Sequence, residues 1–167
     1  TTALSGCVDT LRIRYAWRCD YRTEGGPGSY KRATLRDFSM GLYANHIFPR
    51  LMDRFMSRQE FQRLREDLLT SADGDVLEIG LGTGLNLACY PQRVLRLRAV
   101  DPAQLLPARV AKRSAAVSFP VEITHLSAER LPYEDGSFDC VVGTWTLCTI
   151  PDSVQALREV RRVLKPT

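Results

Sequence analysis

Residues 75–101 read DVLEIGLGTGLNLACYPQRVLRLRAVD, and the order of residue types in this stretch decides the fold. Val76, Leu77 and Ile79 make a short apolar run, suited to a strand buried on both faces. Gly80, Gly82 and Gly84 follow at alternate positions. Leu85, Leu87, Ala88 and Cys89 supply the apolar side of a short helix that stops near Pro91. Residues 95–100 form a second strand, with Asp101 at its carboxyl end. Strand, glycine turn, helix and strand in this order predict an α/β protein: a Rossmann-like parallel sheet with helices on both faces.

Ligands of such sheets bind beyond the carboxyl ends of the strands. The glycine turn lets backbone approach a ligand closely, and the helix that opens there presents unpaired N–H groups. An acid on the tip of the next strand accepts hydrogen bonds from a ribose diol, and Asp101 stands 21 positions after Gly80, near the spacing of that role. The glycines run G-x-G-x-G rather than the G-x-G-x-x-G of dinucleotide sites, and Glu78 lies two residues ahead of the first. An acid there is a poor neighbour for a pyrophosphate and suits a cationic ligand. A nicotinamide-dependent oxidoreductase is thereby disfavoured.

Downstream, Pro102 is placed as the first residue of a helix running through Leu105, Leu106, Val110 and Ala111, with Pro107 distorting it. Arg109, Lys112 and Arg113 read as its solvated face. Residues 121–126 alternate as a third strand and 138–143 form a fourth, separated by the turn Ser127–Pro132. A helix follows from about Asp152 to Leu164, with Val154, Leu157, Val160, Val163 and Leu164 at helical spacing. Upstream, residues 42–69 are helical in pattern. Pro49 fits a first turn, and Ser57 with Glu60 could form a capping box that divides the stretch in two. Arg50, Asp53, Arg54 and Arg58 lie on its polar side; the stretch is expected to pack over the sheet edge and the mouth of the ligand site, and the alternative is that residues 42–58 offer an amphipathic surface for peripheral membrane contact or a lipidic substrate. Tyr43 and His46 are candidates to line an acceptor pocket.

The string E-I-G-L-G-T-G, Glu78 to Gly84, closely resembles the first motif of class I methyltransferases that use S-adenosylmethionine. S-A-E-R-L-P (Ser127 to Pro132), D-G-S-F-D (Asp135 to Asp139) and L-R-E-V-R-R-V-L-K-P (Leu157 to Pro166) resemble later motifs of the ubiquinone/menaquinone and phospholipid type. G-x-G-T-G-x-N with T-x-x-L-C is similar to methyltransferase-like thiol methyltransferases of animals. The resemblance covers residues 40–167. It implies that Glu78, Gly80, Gly82 and Gly84 seat the methionine part of S-adenosylmethionine and that Asp101 holds the ribose. It further implies that Pro102 lies beside the cofactor, that Ala128 and Glu129 meet the adenine edge, and that Thr144 touches the methyl-bearing end. The implied reaction is direct in-line methyl transfer to a small-molecule or lipid acceptor. The catalytic residue stays unassigned, and Cys148 is not expected to act as a covalent nucleophile.

Residues 1–39 show no sustained period and contain the breaker cluster G-G-P-G-S, Gly25 to Ser29. They are expected to be disordered or a non-native leader, with the natural start at Met40. The family usually continues past a helix like 152–164 with further strands, so residues 40–167 are expected to be a partial domain whose last strand is a bare sheet edge. A non-catalytic nucleoside-binding fragment is the alternative to an active enzyme.

Composition narrows the remaining classes. The chain of 167 residues is 44% apolar and 25% charged, as in soluble globular proteins. It has no run of 18 apolar residues to span a bilayer, and a cytoplasmic location is the default expectation. Five cysteines without a C-x-x-C pair argue against a disulfide framework, and two distant histidines against a metal site. Residues 1–39 carry a net +3 of the total +4, and the rest of the chain offers no clear basic face for nucleic acid.

Overall fold

The computed structural model describes residues 13–15 and 47–166. Five parallel strands form one sheet in the order β1-β5-β2-β3-β4. They are β1 (Ile13–Tyr15), β2 (Gly74–Ile79), β3 (Val94–Val100), β4 (Val121–Thr124) and β5 (Cys140–Gly143). The helices are α1 (Phe48–Met56), α2 (Gln59–Leu69), α3 (Pro107–Ser114) and α4 (Ser153–Val163). The expected doubly wound architecture is what forms.

The period-two alternation of a strand sends successive side chains to opposite faces, and both faces of β2 are covered. Val76 joins Leu97, Ala99, Cys140 and Val142 in a core closed by Leu69 of α2, Leu87, Tyr90 and Val110 of α3. Leu77 and Ile79 join Val100 and Val141 in a second core closed by Ala156, Val160 and Val163 of α4. Four consecutive buried positions, Val76 to Ile79, are therefore a consequence of helices on both sides.

Several local expectations change. The helix foreseen at residues 85–89 is a single 3₁₀ turn, Leu87–Cys89. Asn86 and Tyr90 flank it and turn inward to satisfy Glu78, and this leaves no length for regular α-helix. Pro102 does not open a helix. The carboxylate of Asp101 captures the Ala103 N–H at 2.8 Å, which bends the chain locally. Pro107 takes the first helical position instead, where a missing N–H costs nothing. Residues 42–69 do divide at Ser57, but not by a capping box. Arg58 is the N-cap of α2 and makes no side-chain cap, while the Ser57 hydroxyl donates back to the Asp53 carbonyl and ends α1.

The β5 edge is not bare. Ile13, Arg14 and Tyr15 pair in parallel with Val141, Val142 and Gly143, supplying partners that an edge strand otherwise lacks. This segment lies inside the stretch expected to be a leader; the rest of residues 1–46 lies outside the described residues, Tyr43 and His46 included.

Candidate functional site

The carboxyl ends of β2, β3 and β5 open into a cleft of about 480 Å³. Its floor is the glycine turn. Gly80 and Gly82 have φ of +75° and +58°, a region that glycine enters without a Cβ penalty. A Cβ on Gly82 would meet nothing within 4 Å, so this position faces open space, whereas one on Gly80 would fall 2.1 Å from Thr146 Oγ1. Gly84 closes the turn by donating to the Leu81 carbonyl at 2.9 Å. Its missing Cβ faces Leu87 and Arg113 rather than the cleft.

Asp101 stands at the β3 tip on the cleft wall. Its Oδ2 accepts from the Gly82 N–H at 2.7 Å and its Oδ1 from the Ala103 N–H at 2.8 Å. A carboxylate has about four acceptor directions, so each oxygen keeps one for a ligand diol. His125 Nδ1 lies 3.2 Å from the Asp101 carbonyl and braces the same tip. Pro102, Ala128 and Thr144 also line the cleft.

Two nominated acids do not. Glu78 is fully buried. Its Oε1 accepts from Asn86 Nδ2 at 2.8 Å and its Oε2 from the Tyr90 hydroxyl at 2.9 Å. Burial pushes its carboxyl up to about 7, and the hydrogen bonds from Tyr90 and Asn86 only partly oppose this. Glu129 turns away: Oε1 accepts from the Asp152 N–H at the start of α4 and Oε2 from the Ser127 hydroxyl, each at 2.7 Å. Of the 127–132 turn, Ser127 and Ala128 reach the cleft wall.

Sequence reasoning missed three groups. Asn86 Nδ2 bridges Glu78 to Thr144 Oγ1, the second contact at 2.9 Å; the motif contained Asn86, but only the fold shows its use. Asp53 of α1 is a buried hub on the cleft wall. It accepts from Thr83 Oγ1, Arg109 and Arg113, and Arg113 also binds the Thr83 carbonyl. Arg109 and Arg113 are thus not an idle solvated face. Burial opposes ionisation of Asp53, but hydrogen bonds from Arg113, Thr83 and Arg109 outweigh it and hold the carboxyl below its ordinary value. Arg65 of α2 is the third group, a cation only 3% exposed on the cleft wall.

After β5, Trp145 has φ of +52°, an outlier for a bulky residue and a mark of a constrained site. Its ring meets Phe61 edge-on at 5.9 Å and lies 4.8 Å from the Arg65 guanidinium carbon. Cys148 is exposed, and its thiol donates to the Trp145 carbonyl at 3.9 Å. Among the described residues no cluster of three or more acids, histidines or cysteines could hold a metal.

Sheet order, glycine floor and strand-tip acid define a doubly wound α/β protein with a nucleoside-type crevice. The family described as "Methyltransferase domain" matches residues 77–167, and the chain belongs to that family. Phosphatidylethanolamine N-methyltransferase of Cereibacter sphaeroides is 30% identical over 139 residues, 82% of this chain and 61% of that protein. The human thiol S-methyltransferase TMT1B is 39% identical over 109 residues, 59% of this chain and 42% of that protein. The chain therefore spans about three fifths or less of these curated relatives. The crystal structure of a SAM-dependent methyltransferase from Aquifex aeolicus superposes with a TM-score of 0.56 at 17% identity, covering 71% of this chain and 68% of that one. That likeness concerns the fold alone.

Proposed function

We propose that this chain is the cofactor-binding part of a class I methyltransferase that moves a methyl group from S-adenosylmethionine to a small-molecule or lipid acceptor. The observation that carries this reading is the Asp101–Gly82 pair. A strand-tip carboxylate is anchored to the glycine floor at 2.7 Å and keeps acceptor directions open beside Gly80, Pro102 and Ala128. The bound cofactor would supply an electrophilic methyl on a sulfonium sulfur. The chain's own residues bind and orient. Asp101 takes the ribose hydroxyls, the walls at Ala128 and Pro102 flank the base, and the Gly80–Gly82 backbone passes beneath the amino-acid arm. Positioning of this kind accounts for up to roughly 7–11 kcal/mol of barrier lowering in favourable systems.

The lipid alternative for the acceptor draws support from α1. Leu51 and Phe55 are 58% and 42% exposed, flanked by Arg50, Arg54 and Arg58, and the only acid on the helix, Asp53, is buried and paired. A basic apolar face suits an anionic bilayer surface, and a relative named for phosphatidylethanolamine agrees with it.

Calorimetric titration of S-adenosylmethionine and, separately, of a nicotinamide dinucleotide tests the cofactor. Saturable heat with the first and none with the second is expected; the reverse would return the oxidoreductase reading. Sedimentation with phosphatidylethanolamine vesicles containing an anionic lipid tests the acceptor side, with binding reduced by Arg54→Glu as the expected result.

A further inference from the structure

We propose that Asp53 is a positioning residue for the cofactor, one that fixes the glycine floor through Thr83 without touching the ligand; the inference rests on the function proposed above. The turn from Gly80 to Gly84 has few handles by which packing could hold it. Three of its five residues lack a side chain, Leu81 is buried, and Thr83 is its one polar side chain. Such a segment has much conformational freedom to lose, and a ligand that must order it binds more weakly by that amount. Polar ties from outside order it instead. The Gly82 N–H is held by Asp101. The Thr83 hydroxyl donates to Asp53 Oδ1 of α1 at 2.5 Å, and the Thr83 carbonyl accepts from Arg113 Nη1 of α3 at 2.5 Å.

Asp53 has no acceptor direction left for a ligand. Its Oδ1 accepts from Thr83 and from Arg113 Nη1, the latter at 2.7 Å. Its Oδ2 accepts from Arg109 Nη1 and from Arg113 Nη2, the latter at 3.3 Å. A carboxylate offers about four such directions, so all are taken, whereas each oxygen of Asp101 keeps one. Asp53 lies on the cleft wall and acts through its neighbour.

The energetics of the cluster fit a positional role. Asp53 is buried, and two guanidinium groups and a hydroxyl offset its desolvation. A buried ionic cluster adds little net stability, because desolvation cancels most of the attraction; what it fixes is geometry. Here it joins three elements: α1 supplies the carboxylate, α3 the arginines and the floor the hydroxyl. Among the described side chains of α1, Pro49 and Asp53 are buried and the others are not, so this joint locates the helix. Arg113 closes the ring by binding Asp53 and the Thr83 carbonyl together.

Calorimetric titration of S-adenosylmethionine into wild type, Thr83→Val, Asp53→Ala and the double variant tests the inference. Thr83→Val keeps the shape of the side chain and removes the hydroxyl. It should weaken binding by about 10-fold in wild type, the lower range for a hydrogen bond to a charged group. With alanine at position 53 the same change should cost less than about twofold. Thr83→Ser keeps the hydroxyl and should bind within about twofold of wild type. A loss of about 10-fold in both backgrounds would mean that Thr83 touches the ligand itself, and would overturn the inference. An unchanged affinity in Thr83→Val alone would overturn it too. A second readout needs neither ligand nor an Asp53 variant. Amide hydrogen exchange at Gly82 and Gly84 in the ligand-free chain should quicken in Thr83→Val; unchanged protection overturns the inference even where Asp53→Ala does not fold. Each of these failures leaves the cofactor assignment intact, whereas no binding by the folded wild-type chain removes inference and function together.

Discussion

Glu78 and Asp101 are two acids near the ends of adjacent parallel strands, and the structure uses them in opposite ways. Glu78 points into the core side of β2, fully buried, with both oxygens taken by side chains from the Leu87–Cys89 turn and its margins. Asp101 stands past the end of β3, where backbone N–H groups take one direction on each oxygen and the cleft has the rest. One acid supports the glycine turn from below; the other faces the cleft above it. Position relative to the strand end decides this, because a residue inside a central strand of a doubly covered sheet has no solvent-facing side.

The largest expected consequence is on stability at Glu78. Glu78→Ala leaves the Tyr90 hydroxyl without its acceptor, removes an acceptor from Asn86, and opens space in the core. Chemical denaturation at pH 6 should show a loss of about 3 kcal/mol or more. A change under about 1 kcal/mol would break the contrast.

The pH dependence of stability comes next. The Glu78 carboxyl is raised from 4.5 to about 7 in the folded state, so between those values the folded chain holds more proton than the unfolded one. Stability then falls as pH rises through this window, by on the order of 3 kcal/mol. Glu78→Gln should flatten that slope. Asp53, whose carboxyl is held below 3.8, acts with the opposite sign: its contribution is present above its unfolded pKa and is lost as pH falls through the folded one. The two windows do not overlap.

Asp101→Ala sharpens the comparison from the other side. It should weaken S-adenosylmethionine binding by about 1.5–3 kcal/mol, the range for a hydrogen bond to a charged group, while the denaturation midpoint moves much less than in Glu78→Ala. A variant that unfolds before it loses affinity would make Asp101 a structural acid like Glu78. The smallest effect is expected at the floor. Gly82→Ala demands a positive φ of an L-residue but meets no atom within 4 Å, costing about 1–2 kcal/mol, which a melting curve reads directly.

Legibility followed locality. The glycine turn, Asp101 and the apolar face of α4 could be read because their signals sit within a few residues of one another: period two, period 3.6, a breaker, an acid at a fixed offset; Ala128 and Thr144 were nominated only by the resemblance to family motifs. The helix start at Pro107 was misread by five residues because two prolines competed for one first turn, and the Asp101 side chain settled it. Glu129 was nominated by the resemblance to meet the adenine edge, but its orientation depends on the start of α4, 23 residues on.

The sequence by itself determined the parallel sheet, its helical covers, the glycine floor and the strand-tip acid, because short-range patterning and the absence of a Cβ act within one βαβ unit. Only the tertiary structure decided that Glu78 is sealed beneath that floor, that Arg109 and Arg113 converge on Asp53 from 56 and 60 residues away, and that Arg65 is buried on Trp145 with an unpartnered Nε. Desolvation and charge pairing depend on what the rest of the chain brings alongside, and no local window of residue types contains that.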